Sequence, residues 1–125
     1  MSMGIIESGE YNKVAGNAGE SIATTGTGTR NATYVKPGDF IATWTKIGHV
    51  VTAEVQFNLS QATSSTEEII TGFPKPVCPV GVVAQGEDND KAYGIVLKTN
   101  GSLRTHYQGV AYQFYHATLT YLTAE

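Results

Sequence analysis

The chain has 125 residues, a formal charge of −3 and 15% charged residues, against roughly 25% in an average globular protein. That is one domain's worth of chain, and its scattered Lys and Arg lack the dense basic surface that nucleic-acid binding requires. No apolar run approaches the ~20 residues of a membrane-spanning helix, and "MSMGIIESGEYN" lacks the basic start and apolar stretch of a signal peptide, so synthesis and folding in a reducing cytosol are expected.

Residues 1–37 differ in texture from the rest of the chain. "AGNAGESIATTGTGTRNATYVKPGD" is rich in Gly, Ala, Thr and Asn and poor in large apolar side chains. It reads as a linker, as an extended arm on a neighbouring subunit or as short edge strands separated by Gly turns, "SIATT" among them, with the arm favoured because so much Gly cannot build a core. Residues 38–125 form the domain proper.

In "FIATWTKIGHVVTAEVQFNL", Val51, Ala53, Val55, Phe57 and Leu59 alternate with polar residues, as in a strand with one dry and one wet face. A two-residue turn at Gly48-His49 sets Trp44 against Ala53, Ala42 against Val55 and Phe40 against Phe57, with both apolar sets on one face. His49 reads as a tolerated turn residue. A polar loop, "SQATSSTEE", leads to "IITGFPKPVCPVGVVAQ". Pro74, Pro76 and Pro79 demote its middle to an irregular crossing, and a strand resumes over Val80–Ala84. Cys78 stands alone among apolar neighbours, so no disulfide framework exists and a buried, inert thiol is expected.

"AYGIVLK-TNG-SLRTHYQ" predicts a second hairpin. A tight Asn100-Gly101 turn would face Leu97 with Arg104. A three-residue loop, Thr99 to Gly101 with Gly101 left-handed, faces Leu97 with Leu103 and Tyr93 with Tyr107, and is preferred. In the last strand Tyr115, Ala117, Leu119 and Tyr121 alternate with His116, Thr118 and Thr120. Short strands, long connections and no helical period predict an all-β antiparallel sandwich or jelly roll.

Catalytic patterns are lacking: no nucleophile elbow, no phosphate-cradling loop and no metal spacing among His49, His106 and His116. Glu67 and Glu68 are neighbours and would face opposite ways on a strand, so they cannot form a glycosidase pair. "DND" at Asp88–Asp90 lacks the Gly and distant Glu of a calcium loop and reads as a solvated tip. The expectation is therefore a non-enzyme with no metal and no cofactor. Arg104, His106, Tyr107 and Gln108 end one strand, and Tyr112, Tyr115 and His116 begin the next. Each alone reads as an ordinary core or surface residue. Together they offer the flat apolar faces and fixed polar edges that grip sugars, and form the candidate saccharide site.

The order "WTKIGHVVTAEVQF", "IITGFPKPVCP", "AYGIVLKTNGSLRTHYQG" and "HATLTYLT" resembles the C-terminal receptor-binding head domains of tailed-phage tail-fibre and baseplate proteins, with lactococcal-phage heads the nearest comparison. The resemblance spans residues 38–125. It implies a homotrimeric head in the virion that binds host cell-wall polysaccharide or another surface glycan, beside other tail and baseplate proteins. The alternative it leaves is a purely structural baseplate, tail or capsid-decoration module. Where comparison heads carry a His and an Asp on the second hairpin, this chain has Gly94 and Val96, while His116 falls near their Arg. The resemblance thus implies the fold more firmly than the pocket. A non-viral trimeric jelly roll and a polysaccharide hydrolase are the more distant readings.

Overall fold

In the first hairpin, β3 (Ile41–Ile47) and β4 (Val50–Asn58), Ala42 faces Val55 and Trp44 faces Ala53, the register that the alternation requires. The two-residue turn holds because Gly48 adopts φ +62°, a left-handed conformation that costs glycine little. Phe40 precedes the ladder and packs against the core from outside it. The computed structural model describes residues 22–86, 92–106 and 114–125. Among these the other strands are β1 (Ala23–Thr27), β2 (Thr29–Arg30), β5 (Ile70–Thr71), β6 (Val80–Gly86), β7 (Ala92–Leu97), β8 (Leu103–Thr105) and β9 (Phe114–Leu122).

These nine strands belong to one antiparallel sheet, ordered β1-β3-β4-β9-β6-β7-β8-β5-β2. Its first and last strands are consecutive in the chain, joined through Gly28, so the sheet comes close to closing on itself. Along the 23–30 segment, β1 pairs with β3, and β2 pairs with β5 on the other side of the domain. The second joint is narrow. β6 and β9 pair directly at Gln85–His116 and Gly86–Tyr115, and a bridge ties Pro76 to Thr123 farther along. Two hydrogen-bonded halves result: β1, β3, β4 and β9 in one, and β6, β7, β8, β5 and β2 in the other.

The core lies between these halves. From the first come Val51, Val55, Phe57, Tyr115 and Leu119; from the second, Ile70, Ala84, Ile95, Leu97 and Leu103, all buried. Phe57 and Tyr115 stack with centroids 4.9 Å apart and planes within 3°, and Tyr93 meets Tyr115 at 5.0 Å from the opposite half. Such aromatic contacts add about 0.5–1.5 kcal/mol each beyond their buried area. The second hairpin takes its three-residue loop, with Leu97 opposite Leu103 and Gly101 at φ +84°. A Cβ on Gly101 would run into the Phe73 carbonyl oxygen. The expected partner of Tyr93, Tyr107, lies outside the described residues.

Residues 31–38 are tied to the same body. Asn31 accepts from the Thr33 and Val35 amides and donates its side-chain amide to the Glu68 carbonyl, while Arg30 donates to the Val35 carbonyl at 2.7 Å. Val35 is buried and bridges to Leu59. Near the other end, the Tyr121 hydroxyl donates to the Pro74 carbonyl at 2.8 Å. Burial, then the Glu125 carboxylate, pushes that phenol well above its ordinary range.

Two sequence expectations change. Cys78 is exposed: Pro76 and Val77 touch the end of β9, and residues 77–79 form an exposed outer crossing at the sheet's margin. His49 does more than turn the chain: its Nδ1 lies 3.0 Å from the Thr123 carbonyl, and its own carbonyl accepts the Thr123 amide.

Gly28 is the corner of the sheet, and its absent side chain is what lets the corner close. A Cβ there would lie 2.7 Å from Ile70 Cγ2 and 3.2 Å from both Ala42 Cβ and Phe73 Cζ. Gly28→Ala is expected to destabilise the domain by about 1–3 kcal/mol through overpacking. The control Gly81→Ala, whose Cβ meets nothing within 4 Å, should stay within about 0.5 kcal/mol of the parent. Urea unfolding of both variants checks this.

Candidate functional site

The strand registers arrange the outward side chains of the first half into rows. Ile41, Gln56, His116 and Gln85 lie side by side across β3, β4, β9 and β6. The next row is Thr43, Glu54 and Thr118; then come Thr45, Thr52 and Thr120; last come Ile47, Val50 and Leu122. This face therefore grades from mixed amide, imidazole and apolar groups to an apolar edge.

At the first end, a groove of about 430 Å³ opens where β6 leaves β9, lined by Ile41, Glu54, Gln56, Val83, Gln85, His116 and Thr118 with parts of Val55 and Ala117. Phe114 extends it, because residues two apart on a strand share a face: its ring lies 6.4 Å from that of His116, with the planes 28° apart. The Gln56 side-chain amide donates to the Asp39 carbonyl at 2.7 Å, fixing the 31–40 loop beside the groove. Asp39 itself sits at φ +56°, a strained conformation for a non-glycine residue. Aromatic rings beside side-chain amides suit a polyhydroxylated ligand, which presents apolar C–H faces and many hydroxyls. Among the described residues no group of three His, Cys, Asp or Glu could hold a metal ion.

The sequence-predicted residues part company here. His116 lines the groove. Tyr115 points the other way into the core, fully buried against Phe57, so it cannot touch a ligand. Strand alternation forbids both neighbours from reaching one surface, and Tyr115 leaves the candidate set. Arg104 faces outward on β8, but its guanidinium is engaged, 3.2 Å from Glu68 Oε2, with Asn100 donating to the same oxygen. His106 lies in a second hollow of about 230 Å³, over Gly94 and beside Val83. With β6 and β7 between β9 and β8, His106 is roughly 14 Å from His116 across the strands and about 7 Å from it along them. Val83 lines both hollows and is 69% exposed. Tyr107, Gln108 and Tyr112 lie outside the described residues.

Sequence reasoning missed Phe114, Gln56, Gln85, Glu54 and Ile41. Extending the strand alternation across the β4–β9 pairing would have found the first two, since that register sets Gln56 against His116 and Asn58 against Phe114.

At the far end, Ile47, Val50 and Leu122 are 52%, 46% and 56% exposed, and the row continues through Ala23 on β1 and Val77, whose amide donates to the Leu122 carbonyl.

An antiparallel all-β domain of two half-sheets joined at two corners, with an open polar groove beside one joint, is the class that these features define. No family model matches the chain, and no curated protein does. Among solved structures it is similar to the receptor binding protein gp15 of Listeria phage PSA, with a TM-score of 0.59, 19% identity, and coverage of 98% of this chain and 83% of that chain. At that identity, the likeness establishes the shared fold.

One prediction concerns the second hollow. A Cβ at Gly94 would lie 3.0 Å from His106 Cβ, an atom that only the backbone can move, and the His106 amide is bonded to the Gly94 carbonyl. Gly94→Ala should destabilise the domain by about 1–3 kcal/mol through overpacking and move the His106 imidazole resonances. Proton–nitrogen spectra of the histidines, with a denaturation curve, check both parts.

Proposed function

We propose that this chain is a receptor-binding domain of a phage virion, attaching the tail or baseplate to a saccharide on the host cell surface by polyvalent, non-catalytic binding. The observation that carries this reading is the fold shared with a phage receptor binding protein along nearly the whole chain. The groove at His116, with Phe114, Gln56 and Gln85, supplies chemistry of the right kind. Arg104 and His106 offer a second contact zone at β8, and Tyr107, Gln108 and Tyr112 are carried as saccharide contacts from the sequence alone. Polyhydroxylated ligands held by a few hydrogen bonds bind weakly at one site. Repetition on the virion turns weak sites into firm attachment through effective concentration.

The domain acts as a homotrimer, with neighbours meeting along the apolar row of Ile47, Val50, Leu122 and Val77. Exposed apolar side chains in register across adjacent strands form a continuous patch, and covering one with another copy removes it from water. Other tail or baseplate proteins anchor the assembly.

Fluorescently labelled protein should bind cell walls of the host and compete with phage adsorption. His116→Ala should weaken binding to the isolated saccharide by about tenfold, the loss of one well-placed hydrogen bond and ring contact, and weaken cell binding more steeply because the sites act together. A protein that assembles into tails yet neither binds walls nor blocks adsorption would be the structural module instead.

Solution mass provides the second check. The parent should run as a trimer. Val50→Asp with Leu122→Asp should yield folded monomer, since both side chains are exposed within one chain. A monomeric parent refutes the trimer.

A further inference from the structure

Glu54 sits at the centre of the groove's second row. On β4 it stands directly opposite Thr43 of β3 and Thr118 of β9, and all three are exposed. Directly opposed residues of antiparallel strands have Cβ atoms about 4.5–5.5 Å apart, so a small group beside the Glu54 carboxylate can also reach the threonine hydroxyl on that flank. The carboxylate forms no hydrogen bond or ion pair among the described residues. It also joins two hollows, the His116 groove and a neighbouring depression of about 170 Å³ lined by Thr43, Trp44, Thr45, Thr52 and Thr118. Among the described residues, neither hollow has a Lys or Arg in its lining.

We propose that Glu54, flanked by the Thr43 and Thr118 hydroxyls, is the recognition site for a primary ammonium group on the bound saccharide, so that the receptor is an amine-bearing glycan and not a phosphate-bearing one. The proposal rests on the reading of the His116 groove as the saccharide site and adds its ligand class. An alkylammonium carries three donors and no acceptor. The row offers acceptors to match: a carboxylate, with a hydroxyl on either flank whose lone pairs can turn toward a ligand on that side. Charge assistance strengthens the carboxylate bond. Phosphate needs the opposite: Arg or Lys, a helix N-terminus, or clustered backbone amides. Here a phosphate would meet an uncompensated carboxylate, and the protein's overall charge of −3 adds to the repulsion. Sugar rings stacked on Phe114 and His116 would leave an equatorial amine one row away, over Glu54, since adjacent outward rows share strand neighbours two residues apart.

Because Glu54 is exposed, its charge is screened and the selectivity is modest. Exposed ion pairs fall in a range corresponding to about a two- to fivefold change in affinity. Calorimetric titration of the whole protein should compare glucosamine oligomers, N-acetylglucosamine oligomers of equal length, and polyglycerol phosphate. The free-amine oligomer should bind about two- to fivefold more tightly than the acetylated one, the preference should shrink as salt rises, and the phosphate polymer should bind most weakly. Glu54→Gln should abolish the preference, bringing the affinities of the free-amine and acetylated oligomers level. Thr43→Ala with Thr118→Ala should reduce it. All these side chains are exposed, so thermal melts should match the parent. Equal binding of amine and acetylated oligomers, an unchanged preference in Glu54→Gln, or tightest binding of the phosphate polymer overturns the proposal. Any of these can occur while the labelled protein still binds host cell walls, which keeps the receptor-binding reading intact. If wall binding fails while the Glu54-dependent amine preference persists, it is that reading which falls.

Discussion

One uninterrupted stretch of chain, Ala23 to Arg30, occupies both edges of the sheet, and the rest of the fold depends on its doing so. Open sheet edges present unpaired amides and carbonyls to any passing strand. Here the chain leaves β3 at Gly28, whose amide donates to the Ala42 carbonyl, and at once joins β5. That crossing brings the two half-sheets face to face, encloses Phe57, Tyr115 and Tyr93 between them, and leaves the opposite surfaces to water. The groove, the threonine rows and the apolar edge all lie on a surface that closure turned outward.

The same stretch is hard to recognise in the sequence, for a physical reason. Amphipathic strands declare themselves by large apolar residues at alternate positions. Along β1 and its continuation the inward positions are Gly26 and Gly28. The first lies under the indole of Trp44, with no room for a Cβ, and the second is wedged among Ile70, Ala42 and Phe73. Trp44 and Phe73 supply the bulk from the other side, so the segment reads as featureless Gly and Thr although it borders the core. By contrast β4, β9 and both hairpins are legible, since each has one dry and one wet face and a turn length that fits a single register. Cys78 misleads because apolar neighbours suggest burial, while the proline-rich crossing runs along the sheet's margin with residues 77–79 exposed.

The candidate site is assembled across strands, and a reading along the chain sees little of it. Tyr115 and His116 look alike there as partners in a cluster, yet the two-residue period sends one to the core and the other to the groove. What accompanies His116 comes from other strands: Gln56 from sixty residues earlier, Gln85 from thirty-one. Arg104, prominent in the sequence, is committed to Glu68 instead. Side chains that bind together here are brought together by strand pairing, which no local motif encodes. The solved fold that the chain resembles shares about one residue in five with it, so the fold persists through wide change of sequence.

The narrow joint between β6 and β9 has a consequence for how the domain opens. Along most of their length these strands are not hydrogen-bonded to each other, so their facing amides lack the partners that shield β4. Hydrogen exchange should accordingly begin along Val80–Ala84 and Ala117–Tyr121 on the sides that face each other, well before global unfolding releases the β3–β4–β9 ladder. The groove lies on this seam. Tyr93 and Tyr115 meet across it, and a ligand that bridges Gln85 and His116 would clamp the two half-sheets together.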